Sequence, residues 1–139
     1  LASAPELPAT TLAYGCYRYM FDSCTSLRTA PSLPATTLAT SCYYCMFNKC
    51  TALQTLPVLP ATDLPSMCYY LMFSFCSGIK LSKTQTGAYQ TPYRIPASGT
   101  GTVADSQTLQ GMFSTTGGTF TGTGTPTINT TYYTSNTVV

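Results

Sequence analysis

The sequence predicts an α/β solenoid of 26-residue coils, each a short strand, a proline corner and a short helix, closed by a degenerate β-rich C-terminal cap. Two observations predict it. The stretch LPATTLATSCYYCMF from Leu33 recurs as LPATTLAYGCYRYMF from Leu7 and as LPATDLPSMCYYLMF from Leu59, at an interval of 26 residues both times. A fixed period of this size marks stacked repeats, in which no coil can bury its apolar side alone. Within each copy, apolar residues then recur every four positions, the spacing of one helix face.

Each period opens on apolar residues bounded by prolines: Leu1, Ala4 and Leu7; Leu27, Ala30 and Leu33; Leu53, Leu56 and Leu59. Their length suits a short strand or extended turn. Pro8, Pro34 and Pro60 form the corner, since proline cannot continue a ladder. Thr11, Thr37 and Asp63 share the next register and suit helix N-caps, with Pro65 just inside the first turn. The predicted inward face of the helix reads Leu12, Cys16, Met20, Phe21, Cys24, then Leu38, Cys42, Met46, Phe47, Cys50, then Leu64, Cys68, Met72, Phe73, Cys76. Residues that differ between copies, such as Arg18 against Tyr44 and Tyr70, are expected to face water.

Three coils therefore occupy residues 1–78, the first truncated at its start. Residues 79–139 read as a degenerate fourth repeat and cap within the same continuous domain. Ile95-Pro96-Ala97-Ser98 echoes the corner, Met112-Phe113 echoes the helix signature, and Thr116 stands in the register of the second cysteine. Because Leu1 matches Leu27, the chain opens partway through a repeat and is expected to be the C-terminal part of a longer array.

The composition narrows function by exclusion. Only 7% of residues are charged and the net charge is +2, too little for an electrostatic nucleic-acid footprint. No run reaches the roughly 18 apolar residues of a membrane-spanning helix. Twenty-seven threonines and no histidine give a surface wetted by hydroxyls, which fits a secreted or cell-surface protein. The four acids, Glu6, Asp22, Asp63 and Asp105, are at least 16 residues apart, so no acid–base pair is visible. The glycine-rich segments near Gly99 and Gly117 lack the lysine of a phosphate loop. No enzymatic activity and no cofactor are expected.

The unit Cys-Thr-(Ser/Ala)-Leu-x-x-x-Pro-x-Leu-Pro, followed by Cys-Tyr-x-x-Met-Phe-x-x-Cys, resembles the BspA-like class of leucine-rich repeats. The resemblance covers residues 1–79 and only faintly the remainder. Met20-Phe21-x-x-Cys24 is similar to that family's inward Ala-Phe-x-x-Cys step, with a longer period and Met in place of Ala. It implies leucine-rich-repeat-like coils and a bacterial, host-associated surface or secreted protein engaged in adhesion or binding. Similar repeats are also found in phage-encoded and protozoan surface proteins.

Cysteine is the residue most suggestive of chemistry. Cys16, Cys42 and Cys68 form one column, and Cys24, Cys50 and Cys76 another; Cys45 has no counterpart. Without histidine, zinc is not expected. A column of three cannot pair fully into disulfides, so buried free thiols are the expectation, with Cys45 the most exposed.

Two faces are candidates for binding. Beside the strands, Arg28, Gln54 and Lys80 form one outward column, Thr29 and Thr55 a second, and Glu6 and Ser32 a third. Tyr19, Tyr44 and Tyr70 are candidates for an exposed aromatic patch. The expected function is a non-enzymatic binding or adhesion module, presenting an extended solenoid face to a host or bacterial surface protein or glycan. The alternative is a structural spacer, or a phage tail-fibre-like element whose ligand site lies elsewhere. A monomer without nucleic-acid or membrane partners is expected.

Overall fold

The computed structural model describes residues 2–120 and 122–139, so Leu1 lies outside them. No described residue is helical, and this corrects the expected α/β solenoid: the fold is β-rich, with small sheets and long ladders of turns. The segment read as a helix in each coil is a run of overlapping turns instead. In the first coil, backbone N–H groups close turns from Cys16 to Ala13, Arg18 to Gly15, Met20 to Tyr17, Asp22 to Tyr19 and Cys24 to Phe21. The residues between them donate outward to the next coil: Gly15 to Thr40, Tyr17 to Cys42, Tyr19 to Tyr44, Phe21 to Met46 and Ser23 to Asn48. Every second N–H thus shapes the coil and every other one joins it to its neighbour.

The four-residue period has its cause here. Every second turn carries a left-handed residue at its third position: Gly15, Tyr19 and Ser23 at φ 59°, 57° and 59°, then Ser41, Cys45 and Lys49, then Met67, Leu71 and Phe75. Two turns make four residues, so side chains four apart point the same way, as they nearly do on a helix. Cys42, Met46, Phe47 and Cys50 are fully buried, as are Cys68, Met72, Phe73 and Cys76. The inward face holds in the second and third coils apart from the half-buried Leu38, whereas in the first coil Cys16 and Met20 are exposed and Cys24 is half-buried; in none is the backbone that builds it helical.

Thr11, Thr37 and Asp63 do not cap helices. Thr11 and Thr37 form a parallel bridge, and Asp63–Leu64 (β2) pairs in parallel with Thr102–Val103 (β5). A second ladder runs through the apolar segments: Ser3 bridges Thr29, Gln54 N–H donates to the Arg28 carbonyl, and Thr55–Leu56 (β1) continues it.

The core is a stack of like on like. Phe21, Phe47, Phe73 and Phe113 lie ring over ring, with centroids 5.6, 5.4 and 5.4 Å apart and planes within 13°. Tyr17, Tyr43 and Tyr69 stack beside them at 6.0 and 5.8 Å. Full burial of each such ring is worth roughly 1.5–3 kcal/mol before stacking is added. The thiols of Cys50 and Cys76 donate to the carbonyls of Phe21 and Phe47 in the preceding coil, at 3.0 and 2.9 Å. A small buried residue with a weak donor suits that position.

The fourth coil stacks through Tyr69, Leu71, Phe73 and Phe75, which donate to Thr108, Gln110, Met112 and Ser114. The chain then closes over this end. Phe113 N–H donates to the Gly124 carbonyl, and Gly111 N–H to the Thr125 hydroxyl at 2.9 Å. Gly124, at φ 70°, lies so close to the Ser114 backbone that a β-carbon there would collide with it. An antiparallel sheet flanks the cap, with Thr131–Thr134 (β6) between Leu81–Ser82 (β3) and Thr91–Arg94 (β4). The last strand, Thr137–Val138 (β7), pairs in parallel with β1.

Candidate functional site

Residues 44 and 70 fall in the register of Arg18, one coil apart, and the ladder stacks their side chains. Tyr44 and Tyr70 have ring centroids 4.9 Å apart and planes 20° apart. The Arg18 guanidinium sits over Tyr44 at 4.6 Å from its centroid, taking the place a third ring would have in the column. Tyr19, in the adjacent register, meets Tyr44 edge-on at 5.4 Å and also lies 5.3 Å from the Arg18 guanidinium. The three tyrosines singled out from the sequence are therefore brought together, and Arg18 joins them.

Tyr19 is 47% exposed, while Tyr44 and Tyr70 are half-buried. Partial burial, and then the neighbouring Tyr19, raise the Tyr44 phenol above its ordinary pKa, which keeps that hydroxyl protonated. With the faces of Tyr44 and Tyr70 turned on one another and Tyr19 edge-on to Tyr44, the row offers ring edges, hydroxyls and one guanidinium to solvent. Its chemistry is hydrogen bonding with apolar edge contact.

The face beside the strands is arranged differently from the expectation. Arg28, Thr29, Gln54 and Lys80 are exposed, but Gln54 and Lys80 do not adjoin in one ladder. Strand β7 takes the place beside β1 that the register assigns to Leu81, and β3 pairs with β6 instead. Asn136 fills the junction: its Nδ2 donates to the carbonyls of Gln54 and Gly78, both at 2.9 Å, and its Oδ1 accepts from Lys80 N–H at 2.7 Å. What remains is a hollow of about 340 Å³ among Gln54, Gly78, Lys80 and residues 135–137. The Thr55 hydroxyl is already engaged, accepting from Ala30 N–H at 2.8 Å. Glu6 and Ser32 lie apart, lining a hollow of about 260 Å³ walled by Pro5, Pro8, Pro31 and Pro34.

Asn136 is the residue that sequence reasoning missed here. It belongs to no repeat, and the Gln54, Gly78 and Lys80 backbone groups it engages lie 56 to 82 residues away. Arg18 was findable, because its register is that of Tyr44 and Tyr70.

All seven cysteines are free, but their exposure departs from expectation. Cys45, expected at the surface, is 4% exposed, whereas Cys16 is exposed and Cys24 half-buried. Burial pushes the Cys42 and Cys50 thiols up to about 11 and raises Cys68 and Cys76 further, which makes them poor nucleophiles and poor metal ligands. No group of three or more His, Cys, Asp or Glu placed to hold a metal occurs among the described residues. Comparison with models of known families, with curated proteins and with solved structures found no match.

Proposed function

We propose that this chain is a non-enzymatic binding module of a cell-surface or secreted protein, and that its contact surface is the row formed by Arg18, Tyr19, Tyr44 and Tyr70. The observation that carries this reading is the convergence of those four side chains, from three coils, into one partly exposed stripe. Tyrosine and arginine bind well where they are held rigid, because little side-chain entropy remains to be lost. The geometry favours a protein ligand over a glycan. A sugar ring stacks on an open aromatic face, and Tyr44 already has Arg18 and Tyr70 against its ring.

The test is binding to host-matrix and bacterial surface proteins, with a glycan array in parallel. The variant Tyr19→Ser/Tyr44→Ser/Tyr70→Ser should lose at least tenfold in affinity for a protein ligand. The strand-face variant Arg28→Ala/Gln54→Ala/Lys80→Ala should change it less than threefold. The opposite pattern would move the site to the strand face. A structural spacer is the second reading, favoured by the regularity of the aromatic stack; retention of all binding by a parent protein lacking this region would establish it.

A further inference from the structure

The segment that closes over the fourth coil covers only part of it. Gly124 and Thr125 accept from the outward N–H groups of Phe113 and Gly111. Leu109 stands one step earlier in that alternating row, and among the described residues its N–H has no acceptor. Strand β5 lies in the same coil and pairs on one side only, with β2. The Thr102 and Ala104 N–H groups donate to the Thr62 and Leu64 carbonyls. In a parallel ladder the N–H and C=O of the residue between them, Val103, therefore face the other way, where no strand of this chain pairs.

The side chains are open in the same place. Leu64 is fully buried, while Val103, its partner in the register, is 42% exposed. A hollow of about 320 Å³ lies between Val103 and Leu109 on one side and Thr125, Pro126 and Ile128 on the other. Asp105 is the one charged residue in its wall; it is exposed, and its Oδ1 accepts from Gln107 N–H at 2.9 Å. The chain runs past this hollow and continues into β6 and β7, leaving it unfilled.

We infer that the hollow is a strand-addition site for an extended segment of a partner protein, with an apolar residue opposite Val103 and a Lys or Arg two residues along. The main chain sets the first requirement. Val103 presents a donor and an acceptor on one edge and Leu109 a further donor, and an extended backbone supplies a carbonyl and an N–H in alternation. The apolar residue follows from the register, since it covers Val103 as Val103 covers Leu64. The basic residue follows from charge: the wall carries one carboxylate and no cation. Residues two apart on a strand share a face, so one side chain meets Val103 while the next reaches Asp105. The site shares no residue with the row of Arg18, Tyr19, Tyr44 and Tyr70 and does not rest on it.

The probe is the acetylated and amidated peptide Thr-Thr-Leu-Thr-Lys-Thr, titrated into the intact chain and followed by amide NMR and hydrogen exchange. One control peptide carries Glu for Lys and another Pro for Leu. At millimolar peptide the Val103 and Leu109 amides should shift and exchange at least tenfold more slowly. The Glu peptide should bind at least fivefold more weakly and the Pro peptide should not bind. Asp105→Asn, which keeps the acceptor for Gln107 N–H, should abolish the preference for Lys over Glu. Val103→Pro should abolish binding with little change in melting temperature, because the Val103 N–H holds nothing in the fold. The Tyr19→Ser/Tyr44→Ser/Tyr70→Ser variant should bind the peptide as the unmodified chain does. Unmoved Val103 and Leu109 amides overturn the inference, as does equal binding of the Pro peptide. So does dimerisation of the free chain, seen in sedimentation, that protects these two amides, since a second copy would then be the occupant.

Discussion

Replacing Lys49 separates a ladder of turns from a helix by the sign of one free-energy difference. Lys49 is exposed and stands at φ 62°. Its N–H donates to the Ser74 carbonyl at 2.8 Å and its carbonyl accepts from Thr51 N–H at 3.0 Å. Both bonds belong to the backbone, so Lys49→Gly and Lys49→Ala keep them, and both lose the same lysine head. The variants differ in what the main chain tolerates. An L-residue in the left-handed region costs roughly 1–2 kcal/mol, which Ala retains and Gly relieves. Glycine returns about 0.5–1 kcal/mol of that through the greater freedom of its unfolded chain. The Gly variant should therefore be the more stable by about 0.5–1 kcal/mol. In a helix the order reverses, with Ala favoured by about 1 kcal/mol. Gly15 and Gly111 already occupy left-handed positions of this kind, at φ 59° and 64°. Urea unfolding followed by tyrosine fluorescence reads the difference. With a slope near 2 kcal/mol per molar, the Gly midpoint should lie about 0.3–0.5 M above the Ala midpoint. An Ala variant more stable than the Gly variant would refute the turn ladder at this position.

Further outcomes follow from the core and the cap. Phe47→Ala should cost about 3–5 kcal/mol, because the ring is fully buried between Phe21 and Phe73 at 5.6 and 5.4 Å; an unchanged unfolding midpoint would contradict its inward placement. Stability should fall as pH rises from about 9 to 11. Burial raises the thiols of Cys42 and Cys50 to about 11, so the unfolded chain loses these protons first and each group withdraws roughly 2–3 kcal/mol by pH 11. A flat melting temperature across that range would show the thiols to be solvated. Asn136→Ala should destabilise by about 1–3 kcal/mol, since three backbone groups lose a partner. Hydrogen exchange should accelerate first at residues 137–139, and uniform acceleration along the chain would speak against Asn136 as the clasp of the tail.

The sequence by itself determined the period, the register and most of the inward set of the second and third coils. A repeat of fixed length must place like residues on like, so Phe21, Phe47 and Phe73 could be aligned before any coordinate was known. The same alignment put Arg18 in the column of Tyr44 and Tyr70, although its meaning emerged only when the guanidinium was seen over a ring. The backbone was not legible. A helix face and a ladder of paired turns both repeat every four residues or nearly so, and the sign of φ at Tyr19, Cys45 or Leu71 leaves no mark on hydrophobic spacing. The decision lies between coils: half the N–H groups bond to the next coil instead of within their own, and that alternative exists only once the coils are stacked. The strand face was lost for a related reason. Strand β7 and Asn136 reach it from the far end of the chain, where no repeat signals the pairing. Only the tertiary structure shows that Gly124 and Thr125 close over the fourth coil, because they lie outside the repeat and no spacing signals their pairing with Phe113 and Gly111.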